Sequence, residues 1–123
     1  MFNDDPIKVA ELIQDKIAEL DSERPKLFDS AQSKAQAIAD YDKSLAIATL
    51  KLRNGTITEL EGEPIKKLPA NLIPIVAKGL CYQECFTKEA EEGCYKAVIS
   101  NIEAIKAGLN GLQSVNRHLD NLK

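Results

Sequence analysis

The sequence predicts an all-α fold, an elongated antiparallel helical bundle with a long C-terminal helix and a small β-hairpin or ordered loop between its second and third helices. Three observations carry this expectation. Apolar residues recur at spacings of three and four over most of the chain, the period of a helix with one buried face. β-Branched and turn-forming residues cluster in one stretch, 55–70, rather than throughout. Alanines punctuate the apolar rows, which favours close helix contact, and 123 residues with 44% hydrophobic composition suit a single helical domain over 1–123.

The first helix is expected over about 7–20, where Pro6 suits a first turn and Ala10, Ile13, Ile17 and Leu20 draw one stripe. Asp21 and Ser22 can end it and cap a second helix over 23–53, because their side-chain oxygens satisfy amides left free at a helix start and Pro25 is tolerated in the first turn. The stripe of that helix is Phe28, Ala31, Ala35, Ile38, Leu45, Ala48 and Leu52, with Tyr41 on the same side, and Asn54-Gly55 supplies a left-handed stop. In 55–70, Thr56-Ile57-Thr58 reads as strand, Glu61-Gly62 as a tight turn, and Pro64 and Pro69 as punctuation.

Asn71 is the expected cap of a third helix over 72–120. At ~1.5 Å per residue that helix would run roughly 73 Å, against about 46 Å for the second and about 21 Å for the first, so the first two laid end to end could almost line it. The alternative is a bend at Gly93, since glycine costs about 1 kcal/mol inside a helix. Val98, Ile102, Ile105, Leu109, Leu112, Asn116 and Leu119 alternate four and three apart, the seam one helix presents to another and the candidate oligomer or interaction surface. Beside it, Ala97, Ala104, Gly108 and Gly111 form a second face that a neighbouring backbone could approach closely.

Composition narrows the function. A net charge of −3 lacks the basic excess that phosphate neutralisation requires, so nucleic acid is disfavoured as a partner. The apolar runs are far shorter than the ~20 residues of a membrane span, so no membrane association is expected. The start Met1-Phe2-Asn3-Asp4-Asp5-Pro6 has no basic, then apolar, signal pattern, which points to the cytoplasm. Three cysteines, Cys81, Cys85 and Cys94, do not make a disulfide framework, and the single histidine, His118, is too far along a helix to complete a metal set with them. No nucleophile with a base, no phosphate-binding loop and no cofactor motif is present, so catalytic and metal residues are expected to be none and the chain is read as not an enzyme.

Two groups remain as candidate ligand or partner contacts. Lys66 and Lys67 sit in the hairpin, where loops carry function on a rigid scaffold. The run around Asn110, Gln113, Asn116, Arg117 and His118 gathers amides, a cation and a titratable ring about an apolar seam. Asn116 there reads first as a buried polar residue that fixes helix register, and otherwise as part of a pocket whose Arg117 could hold a phosphate or carboxylate.

Tyr41-Asp42-Lys43-Ser44-Leu45-Ala46-Ile47-Ala48, Pro69-Ala70-Asn71-Leu72-Ile73, Ala77-Lys78-Gly79 and Leu109-Asn110-Gly111-Leu112-Gln113-Ser114 resemble segments of small uncharacterised helical proteins of bacteriophages and prophages, over about residues 35–119. The resemblance implies no catalytic residues. It implies an accessory protein acting inside a bacterial host cell. The leading expectation is therefore a non-enzymatic homodimer or higher homo-oligomer that binds a host protein, with inhibition of a bacterial defence system as one such role. The alternative is a small-ligand binder in which Lys78, Tyr82, Tyr95, Arg117 and His118 from apposed helices surround a phosphorylated metabolite or cyclic nucleotide.

Overall fold

A computed structural model describes residues 5–122. Helix α1 spans Pro6–Arg53 without interruption. Strands β1 (Glu59–Leu60) and β2 (Glu63–Pro64) form an antiparallel hairpin, a 3-10 turn covers Ala70–Leu72, and helices α2 (Ile73–Leu80) and α3 (Tyr82–Asn121) follow. The fold is helical with one small hairpin, and α3 packs on α1. Two compact units divide the chain: a helix-pair unit, Met1–Ala31 with Cys94–Lys123, and a hairpin unit, Gln32–Gly93.

Local chemistry explains the ends of α1. Asp5 Oδ1 accepts the Ile7 amide at 3.1 Å, an N-cap with Pro6 in the first helical position, where its missing N–H removes no helix bond. At the other end Gly55 takes φ 76°, and the Thr56 amide reaches back to the Lys51 carbonyl at 3.0 Å, closing the helix in the manner of a Schellman turn.

The expected boundary between helices over 7–20 and 23–53 is absent. Ser22 does not cap a new helix; its hydroxyl donates back to the Glu19 carbonyl at 2.7 Å. Pro25 sits inside α1 on its exposed side, so the Asp21 carbonyl, which loses its amide partner, also faces water.

The third helix also departs from expectation. It is broken at Cys81 and not at Gly93, through which α3 runs unbroken. Cys81 takes ψ 27°, its amide is shared between the Ala77 and Lys78 carbonyls at 3.2 and 3.1 Å, and its carbonyl still accepts Cys85 N–H at 2.9 Å. The helix is interrupted there with almost no hydrogen bond lost. Asn71 lies within the 3-10 turn and caps nothing; Leu72 occupies the cap position, which places Pro74 second in α2, where no intrahelical amide is needed.

In the hairpin, Glu59 pairs with Pro64 and Leu60 with Glu63, and the Ile65 amide extends the ladder to the Thr58 carbonyl at 2.8 Å. The strand therefore begins after the β-branched Thr56-Ile57-Thr58 run. Glu61 and Gly62 form the turn with φ 48° and 81°, the paired left-handed conformations that match the twist of a two-residue hairpin.

The core lies in the hairpin unit. Tyr41, Ala48 and Leu52 of α1 meet Ile73, Ala77 and Cys81, with Ile57, Ile65 and Leu68 of the loop packed against them. Burying an isoleucine- or leucine-sized side chain stabilises by about 1.5–3 kcal/mol, so this cluster anchors both the hairpin and α2 to α1.

Candidate functional site

The covered row of α1 is not the apolar stripe drawn from the sequence. In the helix-pair unit it runs Val9, Ile13, Lys16, Leu20, Glu23, Leu27 and Ser30, alternating four and three apart; Ala10, Ile17 and Phe28 stand outside it and are exposed. Farther along, Tyr41, Leu45, Ala48 and Leu52 are covered as expected, whereas Ala35 and Ile38 face solvent. Lys16 fits the row because its stem lies across Gly108 while its ammonium reaches Glu19 at 3.3 Å.

Glu23, a residue that periodicity passes over, is the buried charged group of the helix-pair unit. Its carboxylate accepts a hydrogen bond from Lys26 Nζ at 3.0 Å and another from the Asn101 side chain of α3. These two bonds, that with Lys26 the stronger, hold its carboxyl below the usual carboxylate range against the opposing effect of burial. Lys16 beside Gly108 and Glu23 beside Asn101 advance seven residues on α1 while retreating seven on α3, which fixes the pair as antiparallel.

On α3, Val98, Ile102, Leu109, Leu112, Asn116 and Leu119 are half-buried and Ile105 is buried. These residues line the side of α3 that meets α1 of the same chain. Of the second face, Ala97, Ala104 and Gly111 are exposed, and Gly108 lies under Lys16.

The residues assigned to a small-ligand pocket fall in both units. Lys78 and Tyr82 belong to the hairpin unit, and Tyr95, Arg117 and His118 to the helix-pair unit. Tyr95 and His118 are 23 positions apart on one unbroken helix, roughly 35 Å of rise. Arg117 donates to Ser114 Oγ at 3.3 Å, and Asn110, Gln113 and His118 are exposed.

Two of the open grooves of the hairpin unit involve the candidate contacts. Lys66 and Lys67, both exposed, line one of them together with Arg53 and Thr58. The other, about 810 Å³, runs between the hairpin and the α2–α3 junction, lined by Glu59, Glu61 and Glu63 from the hairpin and by Gly79, Leu80 and Tyr82 from the junction. Tyr41 lies deeper in the unit, its ring 4.7 Å below Lys88 Nζ.

The thiols form no site. Cys81 is buried, which raises its pKa, and nearby Glu84 raises it further; Cys85 is half-buried and Cys94 exposed. Among the described residues no group of three or more His, Cys, Asp or Glu could hold a metal ion, and no helix is long and apolar enough to cross a membrane. In comparisons with known proteins, no family model, curated protein or solved structure matches the chain.

Proposed function

We propose that the chain is a non-enzymatic interaction protein of the phage or prophage accessory kind, acting as a homo-oligomer in the bacterial cytoplasm and binding a host protein, with a component of a defence system as the partner class. One observation carries this reading: large apolar side chains stand in solvent along the outer faces of the long helices. Phe28 of α1 is 63% exposed and Phe86 of α3 is 74% exposed, in a chain with few aromatic residues. Single exposed apolar residues are ordinary on protein surfaces, but Ile17 and Phe28, three turns apart on one side of α1, are exposed together, as on a face that another molecule covers. Two paired helices cover only one stripe of each, so a second copy is the economical cover for the rest.

Sedimentation equilibrium tests the reading. The wild-type chain is expected at an integer multiple of 13.5 kDa, and Phe28→Lys at a lower multiple with unchanged helix content by circular dichroism. A wild-type chain that sediments at the single-chain mass at tens of micromolar overturns it.

A further inference from the structure

We infer that the groove between the hairpin and the α2–α3 junction is a docking site for a basic amphipathic segment of a partner protein; this rests on the protein-binding reading above and names the chemistry of the partner. The groove joins two features that are each unsatisfied alone. Its floor is apolar and open: Tyr82 is 64% exposed, and a Cβ placed on Gly79 would meet nothing within 4 Å. Ile75 and Phe86, 66% and 74% exposed, continue the apolar strip four residues before Gly79 and four after Tyr82.

Its wall is acidic. Glu59, Glu61 and Glu63 are exposed, line the groove together, and form none of the ion pairs among the described residues. An apolar segment laid on the floor brings these carboxylates out of water, which is costly unless the segment carries its own cations. Lysine or arginine flanking apolar anchors meets both demands, whereas a neutral segment meets one and an acidic segment is repelled. A second copy opposing this face with its own like face would set carboxylates against carboxylates. The walls are formed in advance, because Ile65 ties the hairpin, and Leu80 ties α2, to the core cluster.

The test uses the full chain and a fluorescent amphipathic Leu/Lys helical peptide of about 18 residues, with a Leu/Glu peptide of the same pattern as control. Saturable binding of the Leu/Lys peptide, weakening as salt rises, with none of the Leu/Glu peptide, is expected. Gly79→Leu, which fills the floor, and the triple variant Glu59→Gln, Glu61→Gln, Glu63→Gln are each expected to raise Kd about tenfold or more. Gly79→Leu should melt no lower than wild type, since leucine is the better helix former and the space is open. Four results overturn the assignment: no Leu/Lys binding at ~100 µM, equal binding of the Leu/Glu peptide, undiminished binding by Gly79→Leu, or a wild-type oligomer that Gly79→Leu converts to monomer, which would give the groove to a second copy. Absent or unaltered peptide binding with the oligomer intact removes the groove alone, while the broader reading stands or falls on the sedimentation result.

Discussion

In the hairpin unit, α1, α2, the hairpin and the loop after it surround a common volume, so Ile73, Ala77 and Cys81 are enclosed from several sides. In the helix-pair unit two helices meet along a line, and the seam residues of α3 stay half-buried, Ile105 excepted. How many elements surround a region decides how many apolar side chains leave water there: among the described residues Val9 and Ile105 are buried in the helix-pair unit, against Ala37, Tyr41, Ala48, Leu52, Ile73, Ala77 and Cys81 in the hairpin unit. A third layer makes a core, whereas two helices alone make a contact strip wet at both edges. A strip of that kind tolerates the stem of Lys16 and the carboxylate of Glu23, and it leaves Ile17 and Phe28 with nothing to cover them.

The largest test of this contrast is a pair of truncations followed by urea unfolding. Ile73→Ala should cost about 3 kcal/mol, because the surrounding elements cannot all collapse into the space left behind. Ile105→Ala should cost about 2 kcal/mol, the low end for such a change, because Ile105 is as buried as Ile73 but two helices can close on the space left behind more easily than several elements can. Equal or reversed costs would break the distinction between core and strip.

Acid sharpens the same contrast. The Glu23 carboxyl titrates below its ordinary value of 4.5 in the folded chain, so the folded state binds that proton less readily than the unfolded chain does. Its stabilising effect is therefore complete above the unfolded value and is lost as pH falls through the lower folded one. Urea midpoints measured downward from pH 6 should fall more steeply for wild type than for Glu23→Gln; parallel curves would show that the carboxylate does not hold the helices together.

The smallest expected effect is a gain. Gly108→Ala should stabilise by about 0.5–1 kcal/mol, since the added Cβ meets only the flexible stem of Lys16, its Cε at 3.4 Å. A loss in the same unfolding assay would mean that the strip is packed as tightly as the core.

Much of the fold was legible in the residues. The left-handed stop at Gly55, the tight turn at Glu61-Gly62 and the row from Val98 to Leu119 follow from φ preferences and three-four spacing, which are local properties. The single helix through Pro25 was not legible, because a proline at the start of a helix and one on the exposed side of a continuing helix look the same until the partner helix is in place. The break at Cys81 has no glycine, proline or capping residue at its own position, and Cys81 is buried in a cluster with Tyr41 and Leu52, residues far from it in sequence, which local patterns do not see.

The candidate site divides along similar lines. Periodicity follows apolar residues, so it drew the α1 stripe through Phe28 and Ile38 and passed over Glu23, whose burial depends on Lys26 and Asn101. Lys66, Lys67 and Tyr82 were picked out as contacts and do line grooves, but the acidic lining of the groove at Tyr82 carries no spacing signal, since its glutamates come together only when the hairpin closes.

The Glu23–Asn101 bond bears on how the helix pair finds its alignment during folding. A seam that repeats every seven residues looks much the same to its partner after a slide of one repeat, roughly 10 Å, so apolar matching alone leaves a ladder of near-equivalent offsets. One repeat away in either direction, the carboxylate loses the amide of Asn101 and stands opposite Cys94 or Gly108, neither of which replaces that bond. That penalty acts as a detent: the helices come to rest where the buried carboxylate finds the amide of Asn101.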